Sequence, residues 1–168
     1  MLPVGVRSDQ LIDQQRANRS LPLEVWHPAS SRCAGQDLDT NSQDVFTVLP
    51  AAPPLRQAAV RDAAVRAGSY PLLLFSHTSA GHRRQSSFLC THLASHGYVV
   101  AAVDHTGNTA LDAAERAATG KAFTPNERDA YVEKIVADRV PDLRLLLDQV
   151  LDGAPETSRP RLTSNASA

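Results

Sequence analysis

The apolar positions of this chain fall into runs of different period, and the periods predict the elements. Leu72 to Phe75 is apolar at successive positions, opened by Pro71 and stopped by the polar cluster Ser76 to Gly81. Tyr98 to Val103 repeats the pattern and closes on Asp104-His105. Successive rather than alternate apolar positions suit strands covered on both faces. Between them, about Arg83 to Ser95 reads as a helix ended by His96-Gly97. Glycine there supplies the left-handed residue that a helix C-terminus favours, without a Cβ penalty. Strand, helix and strand at this spacing predict a βαβ unit with parallel strands.

Elsewhere the pattern is weaker. Residues 1–20 show scattered polar and charged positions with no clear period. Leu21 to Pro28 alternates over Leu23 and Val25 and predicts a half-exposed strand, and Asp44 to Leu49 predicts a short one stopped by Pro50. Leu55 to Ala67, rich in Ala and Val with Arg at intervals, predicts a surface helix ended by Gly68. Leu111 to Ala118 predicts two helical turns, with Asp112 and Arg116 spaced for an ion pair. Thr124-Pro125-Asn126-Glu127 is a capping box with proline at the first helical position. The helical period then runs from Val132 to Leu151, where Pro141 predicts a kink or two abutting helices. The chain divides into a domain over residues 1–153 and a loose tail over 154–168.

The 168 residues suit one domain, and 17 Lys and Arg against 18 Asp and Glu leave a formal charge of −1. With no block of like charge, nucleic acid and anionic membrane surfaces are disfavoured as partners. No stretch is apolar enough for a membrane span, and Met1 to Gln10 lacks a signal-peptide core, so a soluble cytoplasmic protein is expected. The two cysteines, Cys33 and Cys90, fit no metal spacing. Asn18-Arg19-Ser20 and Asn165-Ala166-Ser167 match a glycosylation sequon by chance in such a setting.

The string FSH-x-x-x-G from Phe75 to Gly81, followed by LASHGYVVAAVDH from Leu93 to His105, resembles the N-terminal half of the α/β-hydrolase fold. It is most similar to the group of platelet-activating-factor acetylhydrolases and dienelactone-hydrolase-like esterases. Arg16, Arg19, Trp26 and Pro28 match that group's early strand, with His27 where tyrosine is usual. The resemblance is traceable from about Gly5 to Leu151. It implies a partial α/β-hydrolase fold: a mostly parallel sheet with helices on both faces, truncated before the nucleophile elbow. It also implies a carboxylic-ester or lactone hydrolase acting through an acyl-serine, with a small-molecule ester or lipid substrate and no cofactor. The backbone N–H of Ser79, or of Thr78 beside it, would serve the oxyanion hole, His77 would fix that loop, and Arg83 would line the substrate mouth. The group usually has glycine at the position of Thr78 and near Ala80.

No G-x-S-x-G occurs in the sequence. The expectation is therefore a half-enzyme without nucleophile, acid or base, inactive alone. Its strand Pro71 to Ser76 would form an exposed sheet edge through which copies could associate. A non-catalytic binding or interaction module is the alternative. A third reading makes Ser79 itself the nucleophile, since His77 to Gly81 fits x-x-S-x-G between strand and helix, but no histidine follows His105 to complete the order acid then base. His77, His82, Asp104 and His105 could converge at one sheet edge, yet their spacing supports no metal site.

Overall fold

The structure is a computed structural model and describes residues 1–152. The predicted tail, from residue 154 on, lies outside the described residues. Seven strands form two sheets: β1 (Val4–Asp13), β2 (Arg19–Pro28), β3 (Asp44–Phe46), β4 (Leu55–Gln57), β5 (Val60–Arg61), β6 (Leu72–Ser76) and β7 (Val99–Val103). Among the described residues three α-helices accompany them, α1 (Ser87–Ser95), α2 (Ala110–Ala118) and α3 (Pro125–Asp152). The main sheet is mixed, in the order β5-β1-β2-β7-β6, while β3 and β4 form a separate ribbon.

The central unit is the one the apolar runs predict. β6 and β7 pair in parallel from Leu72 opposite Val99 to Ser76 opposite Val103, with α1 as the crossover. Gly97 follows the helix with φ of +91°, in the left-handed region that glycine tolerates. The sheet is covered on both sides. Val4, Val6, Trp26, Val100 and Ala102 pack with Cys90 and Ala94 of α1. On the other face Leu21, Leu23, Val25, Ala101 and Val103 pack with Leu146 of α3. This alternation along β2 and β7 is what places helices on both faces.

Several sequence expectations are corrected. Residues 1–20 contain a ten-residue strand, β1, which forms an antiparallel hairpin with β2. Val4 to Val6 are buried and Arg7 to Gln10 exposed, so the segment carries no single period. β2 is an inner strand rather than a half-exposed one, and its Glu24 has no exposed surface. That charge is tolerated because Arg61, Arg83 and Arg84 all pair with it. Leu55 to Ala67 holds β4 and β5 instead of a helix. Gln57 accepts from Trp26 Nε1 and donates to Asp44, and Arg61 bridges Asp44 and Glu24, so tertiary bonds override a modest helix propensity.

The strand at Asp44 ends at Phe46 rather than Leu49. α1 begins at Ser87 rather than Arg83, because the Arg83 N–H donates to the Asp104 carboxylate at 2.6 Å. Asp112 does not pair with Arg116. It caps α2 by accepting from Thr109, and Arg116 lies over the rings of Phe123 and Tyr131. The capping box at Thr124 and Glu127 forms as read. α3 runs through Pro141 as one helix. The hydrogen bond that proline forfeits is offset by side chains pinned on both sides of it, Asp138 and Asp142 to Arg16 and Arg19, and Arg139 to the end of β6. Among the described residues no helix is long and apolar enough to cross a membrane.

Candidate active site

β6 and β7 run parallel, so both polar segments that follow them, Ser76 to Gly81 and Asp104 to Thr109, emerge at the same end of the sheet. That is where open α/β sheets bind ligands. The two segments are stitched together. Gly81 bridges to Thr109, and the Ala110 N–H donates to Gly81 O at 2.8 Å.

His77 is buried and its tautomer is fixed by its partners. Nε2 accepts from the His105 backbone N–H at 3.0 Å, so Nδ1 carries the proton and donates to Thr78 O at 2.7 Å. Burial pushes its pKa down, outweighing the bond to Thr78, and the nearby Arg139 charge acts in the same direction. His77 is thus a neutral brace for the loop.

The two residues singled out as oxyanion donors differ. Thr78 N–H donates to Gln85 Oε1 at 3.1 Å, and the Thr78 hydroxyl reaches the same oxygen. Ser79 is exposed, and among the described residues no group accepts from its backbone N–H. The Ser79 hydroxyl donates to Asn108 Oδ1 at 3.0 Å rather than to a histidine. The same Asn108 oxygen accepts from the Ala80 N–H at 3.2 Å and from Tyr131 OH at 3.1 Å. Ala80 has φ of +55°, an uncommon conformation for a residue with a Cβ, and the Asn108 bond holds it there. A Cβ at Gly81 would lie 2.2 Å from Gln85 Oε1 and 3.0 Å from the Thr78 carbonyl oxygen, so it would displace the Gln85 clamp. The resemblance implies glycines at the positions of Thr78 and Ala80; this loop follows its path with side-chain clamps instead.

Arg83 pairs with Asp104 and with buried Glu24, so its charge is committed within the protein. His82 neighbours Phe46, and its pKa is lowered chiefly by burial. Among the described residues no group of three His, Cys, Asp or Glu side chains is placed to hold a metal ion. A cavity of about 460 Å³ lies between the N-terminus, Arg56, Phe88 and His92, and residues 76–81 do not line it.

A second cluster under the loop escaped sequence reasoning. Ser76 Oγ lies 2.9 Å from His105 Nε2, and His105 Nδ1 lies 2.8 Å from Asp142 Oδ2. Arg139 of α3 donates to both Ser76 Oγ at 2.8 Å and His77 O at 2.6 Å. Burial alone would raise the Asp142 pKa, but hydrogen bonds from His105, Arg19 and Arg16 hold it well below the ordinary carboxylate range. Asp142 is therefore an anion with no exposed surface, gripped by three partners. The only sequence signal was the i, i+3 spacing of Arg139 and Asp142, which puts both on one helix face.

No curated protein sequence matches the chain. A ferulic acid esterase from Streptomyces cinnamoneus is similar in structure, with a TM-score of 0.59 and 24% identity, over 95% of this chain and 49% of that one. The chain therefore spans about half the length of that structure, and the likeness concerns the fold. Residues 11–157 match the family described as platelet-activating factor acetylhydrolase, isoform II. That match takes in the end of β1, β2, the βαβ unit, the loop and α3, and it means that the chain belongs to the platelet-activating factor acetylhydrolase, isoform II, family of α/β-hydrolase esterases.

Proposed function

We propose that these residues form the oxyanion-loop half of a serine-type carboxylic-ester hydrolase, with Ser79 N–H as the donor to the ester oxygen. The observation that carries this reading is that amide itself. Ser79 is exposed in the loop that follows β6, and its N–H has no acceptor among the described residues. Its neighbours are held by Gln85, Asn108 and Arg139. A donor held rigid before the reaction stabilises developing charge without reorganisation cost. Thr78 N–H becomes a further donor if Gln85 releases it. The nucleophile on an elbow, its acid and its base would come from residues outside these 168, and the substrate would be a small ester or a lipid.

The test is Ser79→Pro, which deletes the N–H, in a polypeptide carrying this chain together with an elbow serine, assayed on 4-nitrophenyl esters. Loss of one oxyanion donor lowers kcat by about 10²- to 10³-fold with little change in KM. An unchanged kcat in a folded variant refutes the assignment.

One observation favours an interaction role beside catalysis. β6 is an edge of the main sheet, and Val132, Val136 and Val140, spaced four apart on one flank of α3, are each exposed. A second copy pairing along β6 would cover both. Sedimentation equilibrium of the purified chain should then show a dimer that Val136→Glu dissociates, and a monomer at micromolar concentration would dismiss this role.

A further inference from the structure

We propose that Ser76, His105 and Asp142 form a nucleophilic relay able to accept an acyl or phosphonyl group from small activated esters. The distances are those of a working triad, 2.9 Å from Oγ to Nε2 and 2.8 Å from Nδ1 to the carboxylate. Chain order is no objection, because such constellations are recognised by geometry and roles rather than by sequence position.

The roles are assignable from the contacts. The Asp142 anion accepts from His105 Nδ1, which leaves the Nε2 lone pair facing the Ser76 hydroxyl proton. His105 is buried between them and cannot swing to another acceptor without breaking its Asp142 bond. Arg139 Nη1, 2.8 Å from Oγ, puts a cation beside the oxygen that loses its proton. Ser76 is only half-buried and closes the edge strand β6, beyond which no strand pairs among the described residues. Ser76 lies at the end of the sheet where both polar segments emerge, and an ester carbonyl would reach its Oγ there.

The step balances within these groups. Ser76 Oγ attacks the carbonyl carbon as its proton passes to His105 Nε2. The bond from carbon to the leaving oxygen breaks, and the leaving alcohol takes that proton. With a fluorophosphonate, Oγ attacks phosphorus, the P–F bond breaks, and fluoride leaves with the proton. Water then adds to the acyl-serine by the reverse transfers and frees Ser76. Two features restrain the relay. Arg16 and Arg19 share the Asp142 charge, and Arg139 holds electron density on Oγ. Activated esters and fluorophosphonates are therefore the reactive class, rather than unactivated ones.

The test is exposure of the purified chain to a fluorophosphonate probe, with the modified residue located by peptide mass spectrometry. One adduct per chain on Ser76 is expected in the native protein, with none after unfolding in urea. Ser76→Ala should abolish both the adduct and the acyl burst with 4-nitrophenyl acetate, and its folding is checked by circular dichroism. The wild-type mapping stands even if that variant fails to fold. Absence of an adduct on folded wild-type protein, or an adduct on any other serine, overturns the proposal. Either result leaves the Ser79 N–H assignment intact, since that donor is tested by kcat in a different polypeptide.

Discussion

Replacing Asp142 by alanine tests whether the contact between α3 and the hairpin is a main support of the fold. The carboxylate has no exposed surface and accepts from Arg16 at 2.7 Å, from Arg19 at 3.0 Å twice, and from His105 at 2.8 Å. Breaking a buried charge pair by deleting one partner costs about 3–5 kcal/mol, most of it from the charge left behind. Here the lower end applies. The Arg16 and Arg19 side chains are 24% and 13% exposed and keep Asp13 and Asp138 as partners, so the orphaned cations are partly solvated. A loss of about 3 kcal/mol lowers Tm by roughly 6–12 °C for a domain of this size. Thermal melts and urea titrations followed by circular dichroism measure both quantities. Arg19→Met in the same background should show strong coupling to Asp142→Ala, because the two side chains touch. A loss below about 1 kcal/mol, the size of an exposed ion pair, would refute the reasoning.

Two further outcomes follow from burial. Burial pushes the Cys90 thiol up to about 12, while Cys33 is half-exposed, so the native protein at mildly alkaline pH should titrate one fast thiol with a disulfide reagent and two in denaturant. Two fast thiols in the native state would show that α1 does not cover Cys90. His27 and His77 are held below their ordinary pKa of 6.5, chiefly by burial. The unfolded chain therefore takes up protons first as pH falls. Stability should be full above pH 6.5 and decline as pH drops through it, with a second loss once Asp142 is pressed toward protonation below its ordinary 3.8. A urea midpoint independent of pH between about 8 and 5 would contradict the burial of both histidines.

The sequence alone determined the central βαβ unit, the glycine that ends α1, the capping box at the start of α3 and the loop that carries Ser79. Each of these depends on neighbours in the chain: a run of apolar residues, a left-handed position, a side chain three residues from the amide it caps. Its resemblance to α/β-hydrolases was legible for the same reason, as a contiguous string from Phe75 to His105. Tertiary structure decided what depends on distant partners. β1 has no period of its own and becomes a strand only against β2. The span from Leu55 to Ala67 gives up its helix because Trp26, Glu24 and Asp44 claim Gln57 and Arg61. Thr78 loses its free amide to Gln85, and Arg83 its free charge to Glu24 and Asp104. Ser76, His105 and Asp142 come from β6, the segment after β7 and α3, separated by 29 and 37 residues along the chain. Periodicity records which face of an element is apolar. It does not record which polar side chains meet when three elements close over one sheet end, because that depends on distances no local pattern carries.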